Sequence, residues 1–129
     1  MSAIGRTTTW LVAATAVLGC LDPFAPPPGT YRFTPPAEYQ SLWVSVEGCS
    51  SLHGDLTRIR WFIIPGRAFR YGEVSVNGLW HSPHDIYLSE SSATDSVGGY
   101  FTVRHEMLHD LIGHPGHPTV FATCHLLRF

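Results

Sequence analysis

Residues 97–113 read VGGYFTVRHEMLHDLIG, and this stretch holds the strongest structural signal in the chain. Glycine favours the left-handed conformation that ends many helices, and Gly113 closes the stretch. Apolar residues at helical spacing predict an amphipathic helix over residues 97–112, because they fall on one broad face: Val97, Phe101, Leu108, Leu111 and Ile112. The pattern therefore predicts a helix that is buried along one side and ends at Gly113.

The same helix carries a His-Glu-x-x-His motif formed by His105, Glu106 and His109. Residues four apart on a helix share one face, so both imidazoles can reach one zinc ion at about 2.0–2.1 Å. Glu106 lies beside them, where it can take a proton from water on the metal. The motif predicts a Zn²⁺ site with Glu106 as the general base.

This motif resembles that of the zincin metalloproteases, and Gly113 and His117 after it support the resemblance. Together with the helix and strand patterns, it implies an α+β fold, a minimal zincin-like domain. In such a domain a small, mostly antiparallel or mixed sheet packs on an N-terminal helix and on the motif helix. It also implies hydrolysis of peptide bonds by a zinc-activated water, with a peptide or protein as the substrate.

The third zinc ligand departs from the metzincin pattern HExxHxxGxxH, which has a histidine six residues after the second ligand. Pro115 occupies that position here and cannot bind a metal. The loop after Gly113 is similar to the metzincin and WLM-type arrangement, lengthened by two residues, which favours His117. His114 is the alternative third ligand. The downstream glutamate that gluzincins use is absent, because no acidic residue follows Asp110.

A peptidase of this type needs a hydrogen-bond donor that stabilises the transition-state oxyanion. The candidate donors, which the sequence does not rank, are His81, His84, Tyr100 and His125.

Two further expectations concern the surroundings of the site. Asp110 is expected on another face of the helix, as a solvated group or as a hydrogen-bond partner of a metal ligand. As in zincins, the strand predicted over residues 85–89 is expected to be an edge strand that binds extended peptide, with Tyr87 lining the cleft.

Upstream of the motif, the sequence predicts one helix and several short strands. Alternating apolar residues and turn signals predict strands over residues 58–64, 68–71, 74–76 and 85–89, with a turn at Asn77-Gly78. A short last helix is expected from Pro118, with Phe121 and Cys124 turned inward. Apolar residues at helical spacing predict the first helix over residues 35–47: Tyr39, Leu42, Trp43 and Val46.

The N-terminus predicts export and lipid anchoring. Residues 1–19 have a polar start and an apolar run too short to span a bilayer, as in a signal peptide. The run Val17-Leu18-Gly19-Cys20 resembles a bacterial lipobox, which implies cleavage before Cys20, its acylation and a membrane-anchored lipoprotein of the cell envelope. An ordinary secretory signal that leaves Cys20 unmodified is the alternative. Prolines over residues 20–36 predict an extended membrane tether, followed by one domain over residues 37–129.

Cysteine parity is consistent with a lipid anchor. The chain has three cysteines, and acylation of Cys20 leaves Cys49 and Cys124. In an oxidising compartment these two can form one disulfide, which the chain-entropy model values at roughly 4 kcal/mol for a loop of this length. Two buried free thiols are the alternative.

Composition narrows the functional classes. With 129 residues and 44% hydrophobic content, the chain suits one domain. Eight basic residues stand against ten acidic ones, and the formal net charge of −2 argues against a nucleic-acid partner. The expected function is a zinc-dependent metallopeptidase, and the alternative is a non-catalytic zinc-binding or peptide-binding lipoprotein. Glu106 favours the enzyme, because a purely structural zinc site needs no base.

Overall fold

A computed structural model of the chain describes residues 24–128, which form an α+β fold. The predicted signal peptide, Cys20 and the first residues of the predicted tether lie outside the described residues. None of the described helices is long and apolar enough to cross a bilayer. In chain order the elements are β1 (Tyr31–Arg32), α1 (Glu38–Ser50), a 3-10 turn (Leu56–Arg58), β2 (Arg60–Ile64), β3 (Phe69–Tyr71), β4 (Val74–Val76), β5 (Gly78–His81), β6 (Asp85–Ser89), α2 (Glu90–Ala93), α3 (Phe101–Ile112) and α4 (Val120–Thr123).

The main sheet is mixed and has the strand order β1-β2-β6-β5. Strands β2 and β6 are parallel, whereas β1 and β5 each run antiparallel to their neighbour. The expected small mixed sheet in an α+β fold is therefore confirmed. The expectation that residues 85–89 form an edge strand is wrong, because β6 lies between β2 and β5 and is buried along its whole length. The edge strand beside α3 is β5; the sequence pattern predicts a turn at its first residue, Gly78, and no strand over the rest of it.

The main core lies between one face of the sheet and the helices α1 and α3. The helical stripe of α1 is buried there through Tyr39, Trp43 and Val46. Helix α3 begins at Phe101, four residues later than predicted, because Gly99 and Tyr100 adopt left-handed backbone conformations just before it. As a consequence Val97 is fully exposed, and its assignment to the apolar face of the helix is wrong.

The opposite face of the sheet is covered by the β3–β4 hairpin and by the chain before β1. A second apolar cluster forms there from Phe24, Ile64, Phe69 and Tyr87. Tyr87 stacks on Phe62 with ring centroids 4.7 Å apart, so it faces away from the motif helix and does not line a cleft beside it. Part of the segment that the proline pattern assigns to a tether packs on the fold, because Phe24 is buried in this cluster and β1 pairs with β2.

A disulfide between Cys49 and Cys124 confirms the predicted pairing. It joins the last turn of α1 to the residue that follows α4, across a sequence separation of 75 residues. Phe121 and Cys124 are both buried, as the pattern of the last helix predicts. The bond therefore ties the segment after α3 to the first helix of the fold.

Removing this disulfide is expected to destabilise the protein substantially. The double variant Cys49→Ala/Cys124→Ala should lose about 2–5 kcal/mol in its free energy of unfolding, because the unfolded chain is no longer closed into a long loop. Urea denaturation followed by circular dichroism measures this loss. Wild-type protein treated with a dithiol reductant is the control and should fall to the same stability. Equal denaturation midpoints for the oxidised wild type and the variant would contradict a stabilising role.

Candidate metal centre

Helix α3 carries the motif residues and then ends sharply, so that the chain can return to them. Gly113 adopts the left-handed conformation (φ 63°), and its N–H donates to the carbonyls of His109 and Asp110. The predicted helix end at Gly113 is thus confirmed. The turn after it leads His117 back beside His105 and His109.

Three imidazoles converge at this point. The Nε2 atom of His105 lies 3.2 Å from that of His109 and 3.0 Å from that of His117. Two nitrogens bound to one tetrahedral ion at about 2.05 Å would be about 3.3 Å apart, so the spacing suits a shared cation. The ring of His114 does not join this group, because its Nδ1 accepts the N–H of Gly116 at 2.8 Å.

Backbone carbonyls fix the proton positions on the two motif histidines. The Nδ1–H of His105 donates to the carbonyl of Leu126 at 2.7 Å, and the Nδ1–H of His109 donates to the carbonyl of His114 at 2.8 Å. A neutral imidazole with its proton on Nδ1 has only a lone pair on Nε2. The Nε2 atoms of His105 and His109 therefore face each other as two acceptors, an arrangement that a cation relieves and a hydrogen bond does not.

Burial keeps these two imidazoles neutral at neutral pH. It lowers the pKa of His105 and lowers the pKa of His109 to about 4, while their bonds to backbone carbonyls oppose the shift. Both rings are therefore available as neutral ligands over the physiological pH range. The three histidines together could hold one metal ion.

Glu106 is buried between α3 and the edge strand β5. Only 5% of Glu106 is exposed, and burial raises its pKa to about 8, opposed by a hydrogen bond from the backbone N–H of Trp80. A Cβ atom on Gly78 would lie 2.8 Å from Oε1 of Glu106, so the carboxyl group fits against β5 only because Gly78 has no side chain. A carboxylate in this position needs a nearby positive charge to ionise at neutral pH, and a divalent ion on the histidines would provide it.

A cleft of about 240 Å³ opens beside the histidines and Glu106. Its other wall comes from the β3–β4 hairpin, from β5 and from the loop after α3. This wall is mainly apolar, and among the described residues Tyr71 is the only one on it with a hydroxyl group. The wall residues are Tyr71, Val76, Gly78, Leu79, Trp80 and Pro115.

None of the four candidate oxyanion donors lines this cleft. Tyr100 packs edge-on against Tyr39 with ring centroids 5.8 Å apart, and His81 lines a neighbouring cavity. His125 follows α4 in a left-handed backbone conformation and is exposed. The cleft instead presents Tyr71, which motif reasoning missed because Tyr71 lies on a separate hairpin, far upstream in the sequence.

Asp110 is buried and hydrogen-bonded to Trp80, a residue of the cleft wall, so it is not a solvated group. Its carboxylate accepts the indole N–H of Trp80 at 2.9 Å and lies 3.0 Å from Nδ1 of His84. The Trp80 ring stacks over His109 with centroids 6.5 Å apart, and the Trp80 backbone N–H bonds Glu106. Asp110 therefore helps to hold the strand that contacts both a histidine and the carboxylate.

Comparison of the chain with protein-family models, with curated proteins and with solved structures finds no match. Its function is therefore inferred from the geometry of the site itself.

Proposed function

We propose that the protein is a zinc metallopeptidase of the zincin-like type, in which His105, His109 and His117 hold Zn²⁺ and Glu106 is the general base. One observation carries the proposal. Three imidazole Nε2 atoms converge beside the buried carboxyl group of Glu106, and a proton on His117 could satisfy only one of the two lone pairs that His105 and His109 present there. A structural zinc site normally closes its fourth position with another protein ligand, whereas three ligands and a base are typical of a catalytic site.

The residues of the cleft divide the chemistry between them. Zinc, when bound, lowers the pKa of water and polarises a carbonyl group. Glu106 would take the proton from the attacking water and return it to the leaving amine, because it lines the same cleft as the three histidines. We assign the stabilisation of the developing oxyanion to Tyr71, the one hydroxyl-bearing residue on the cleft wall within residues 24–128.

The edge strand β5 supports a peptide as the substrate. Among the described residues no strand pairs with its outer side, and both Gly78 and Trp80 line the cleft. An extended peptide can add to such an edge through main-chain hydrogen bonds. We therefore assign the binding of an extended peptide, which the sequence suggested for residues 85–89, to residues 78–81.

The cellular location belongs to the same proposal. The Cys49–Cys124 disulfide is typical of an oxidising compartment, which supports export. We propose that Cys20 is acylated and anchors the mature protein to a membrane of the bacterial cell envelope. Mass spectrometry of protein extracted from membranes tests this, and an unmodified Cys20 would contradict it.

The function is tested on purified wild-type protein by elemental analysis and by cleavage of a diverse peptide library. We expect one zinc ion per chain, cleavage that stops when a chelator removes zinc, and recovery when Zn²⁺ is added back. Stoichiometric zinc without cleavage would favour the non-catalytic zinc-binding alternative. Absence of any bound metal would overturn the proposal.

The close packing of Glu106 on Gly78 leads to a further prediction. Gly78→Ala is expected to retain zinc but to lower cleavage by about 10²-fold, because the new methyl group would overlap the side chains of Thr102 and Glu106 and so would shift the carboxyl group of Glu106. Gly48→Ala is the matched control, since a Cβ atom at Gly48 meets nothing within 4 Å. Equal cleavage by both variants would show that the contact with Gly78 does not position Glu106.

A further inference from the structure

Phe121 contacts all three histidines of the candidate metal centre. Its ring centroid lies 4.9 Å from that of His105, 4.6 Å from that of His109 and 4.8 Å from that of His117. The three imidazole centroids are themselves 4.9 Å apart in every pair. The four rings therefore occupy the corners of a nearly regular tetrahedron, with Phe121 at one corner.

Phe121 occupies the side of the histidines that faces the core. It is completely buried, whereas the three histidines and Glu106 line the open cleft and Phe121 does not. A metal ion held by the three Nε2 atoms would thus be shielded from water on the side of Phe121. Its remaining coordination position would then face the cleft, which Glu106 also lines.

The chain holds Phe121 in place by several independent contacts. Its carbonyl accepts the N–H of Leu126 at 2.8 Å, and the carbonyl of Leu126 in turn accepts the Nδ1–H of His105. Three residues after Phe121, Cys124 is joined to α1 by the disulfide. The short helix α4 therefore supplies the ring that packs on the histidines, and the residues just after α4 supply the Leu126 carbonyl that orients His105.

We infer that Phe121 is a positioning residue, which fixes the orientation of the three imidazoles and confines the open coordination position to the cleft. This inference rests on the metal site of the proposed function and does not depend on peptide cleavage. A planar ring is needed for this role, because it packs on three neighbouring rings at once, whereas a flexible side chain of similar volume fills the space without fixing their tilt.

The test compares Phe121→Met with Phe69→Met. Phe69 is also buried, but it lies in the apolar cluster on the other face of the sheet and contacts none of the three histidines. Zn²⁺ affinity is measured by competition with a chromophoric chelator, and the visible spectrum of the Co²⁺-loaded protein reports the coordination geometry. We expect Phe121→Met to bind Zn²⁺ about 10–100-fold more weakly than wild type, as for other supporting residues of metal sites, and to have an altered Co²⁺ spectrum.

The control variant Phe69→Met should keep the wild-type affinity and spectrum even where its melting temperature falls by the same amount. If Phe121→Met does not fold, Phe121→Leu is compared with Phe69→Leu by the same measurements. Wild-type affinity and an unchanged Co²⁺ spectrum in the Phe121 variant would overturn this inference and leave the proposed function standing. Failure of the wild-type protein to bind Zn²⁺ or Co²⁺ would overturn both.

Discussion

Glu106→Gln is expected to lower peptide cleavage by at least about 10²-fold while the zinc content stays at the wild-type level. The substitution keeps the shape of the side chain and an oxygen that can accept the N–H of Trp80, but it removes the proton acceptor. General-base catalysis contributes about 10²–10⁴-fold to a rate, so kcat should fall by a factor in that range. Single-turnover cleavage of the best library peptide, with elemental analysis of the same sample, measures both quantities.

The matched control for this variant is Glu47→Gln on α1. Glu47 accepts the N–H of Gly54 and does not line the cleft, so its substitution should leave cleavage unchanged. Wild-type cleavage by Glu106→Gln would mean that another group is the base. Loss of zinc from Glu106→Gln would instead indicate that the carboxylate mainly supports the metal.

His117→Ala is expected to lose stoichiometric zinc, as are His105→Ala and His109→Ala, because two remaining imidazoles make a weak site. The affinity for zinc should fall by more than the factor of about 10–100 that is lost when a supporting residue of a metal site is replaced. His114→Ala is the control and should retain zinc. Its imidazole bonds only the neighbouring Gly116 N–H, and the backbone carbonyl that orients His109 remains in the alanine variant.

Elemental analysis and chelator competition across these four variants identify the ligands directly. If His117→Ala retains zinc and His114→Ala loses it, His114 is the third ligand. If all four variants retain zinc, these histidines do not form the metal site.

The local features of the site follow from the sequence because they depend on neighbours along the chain. The i, i+4 spacing of His105 and His109 puts both on one helical face whatever surrounds the helix. Gly113 ends the helix because glycine tolerates a left-handed conformation. The Cys49–Cys124 pairing follows from the sequence for a different reason, because acylation of Cys20 leaves two cysteines and therefore one possible pair.

The strand assignments illustrate where pattern reasoning stops. The bounds of β4 and β6 match the predicted strands, since turn residues mark them in the sequence. Their neighbours do not follow from it, because an alternating pattern does not specify which strand lies at an edge. The segment Gly78–His81 was missed as a strand, and it forms both the edge of the sheet and the support for Glu106.

The sequence by itself determined the motif helix, its end and the residue types that can bind a metal. Only the tertiary structure decided that His117 rather than His114 joins His105 and His109, that Tyr71 reaches the cleft, and that Phe121 packs beneath the three imidazoles. The physical reason is the distance along the chain between the residues that interact. The face that a helical residue occupies and the end of a helix at glycine depend on a few neighbouring residues. The direction of a loop and the packing of distant rings depend on burial and on carbonyl contacts made across the whole fold.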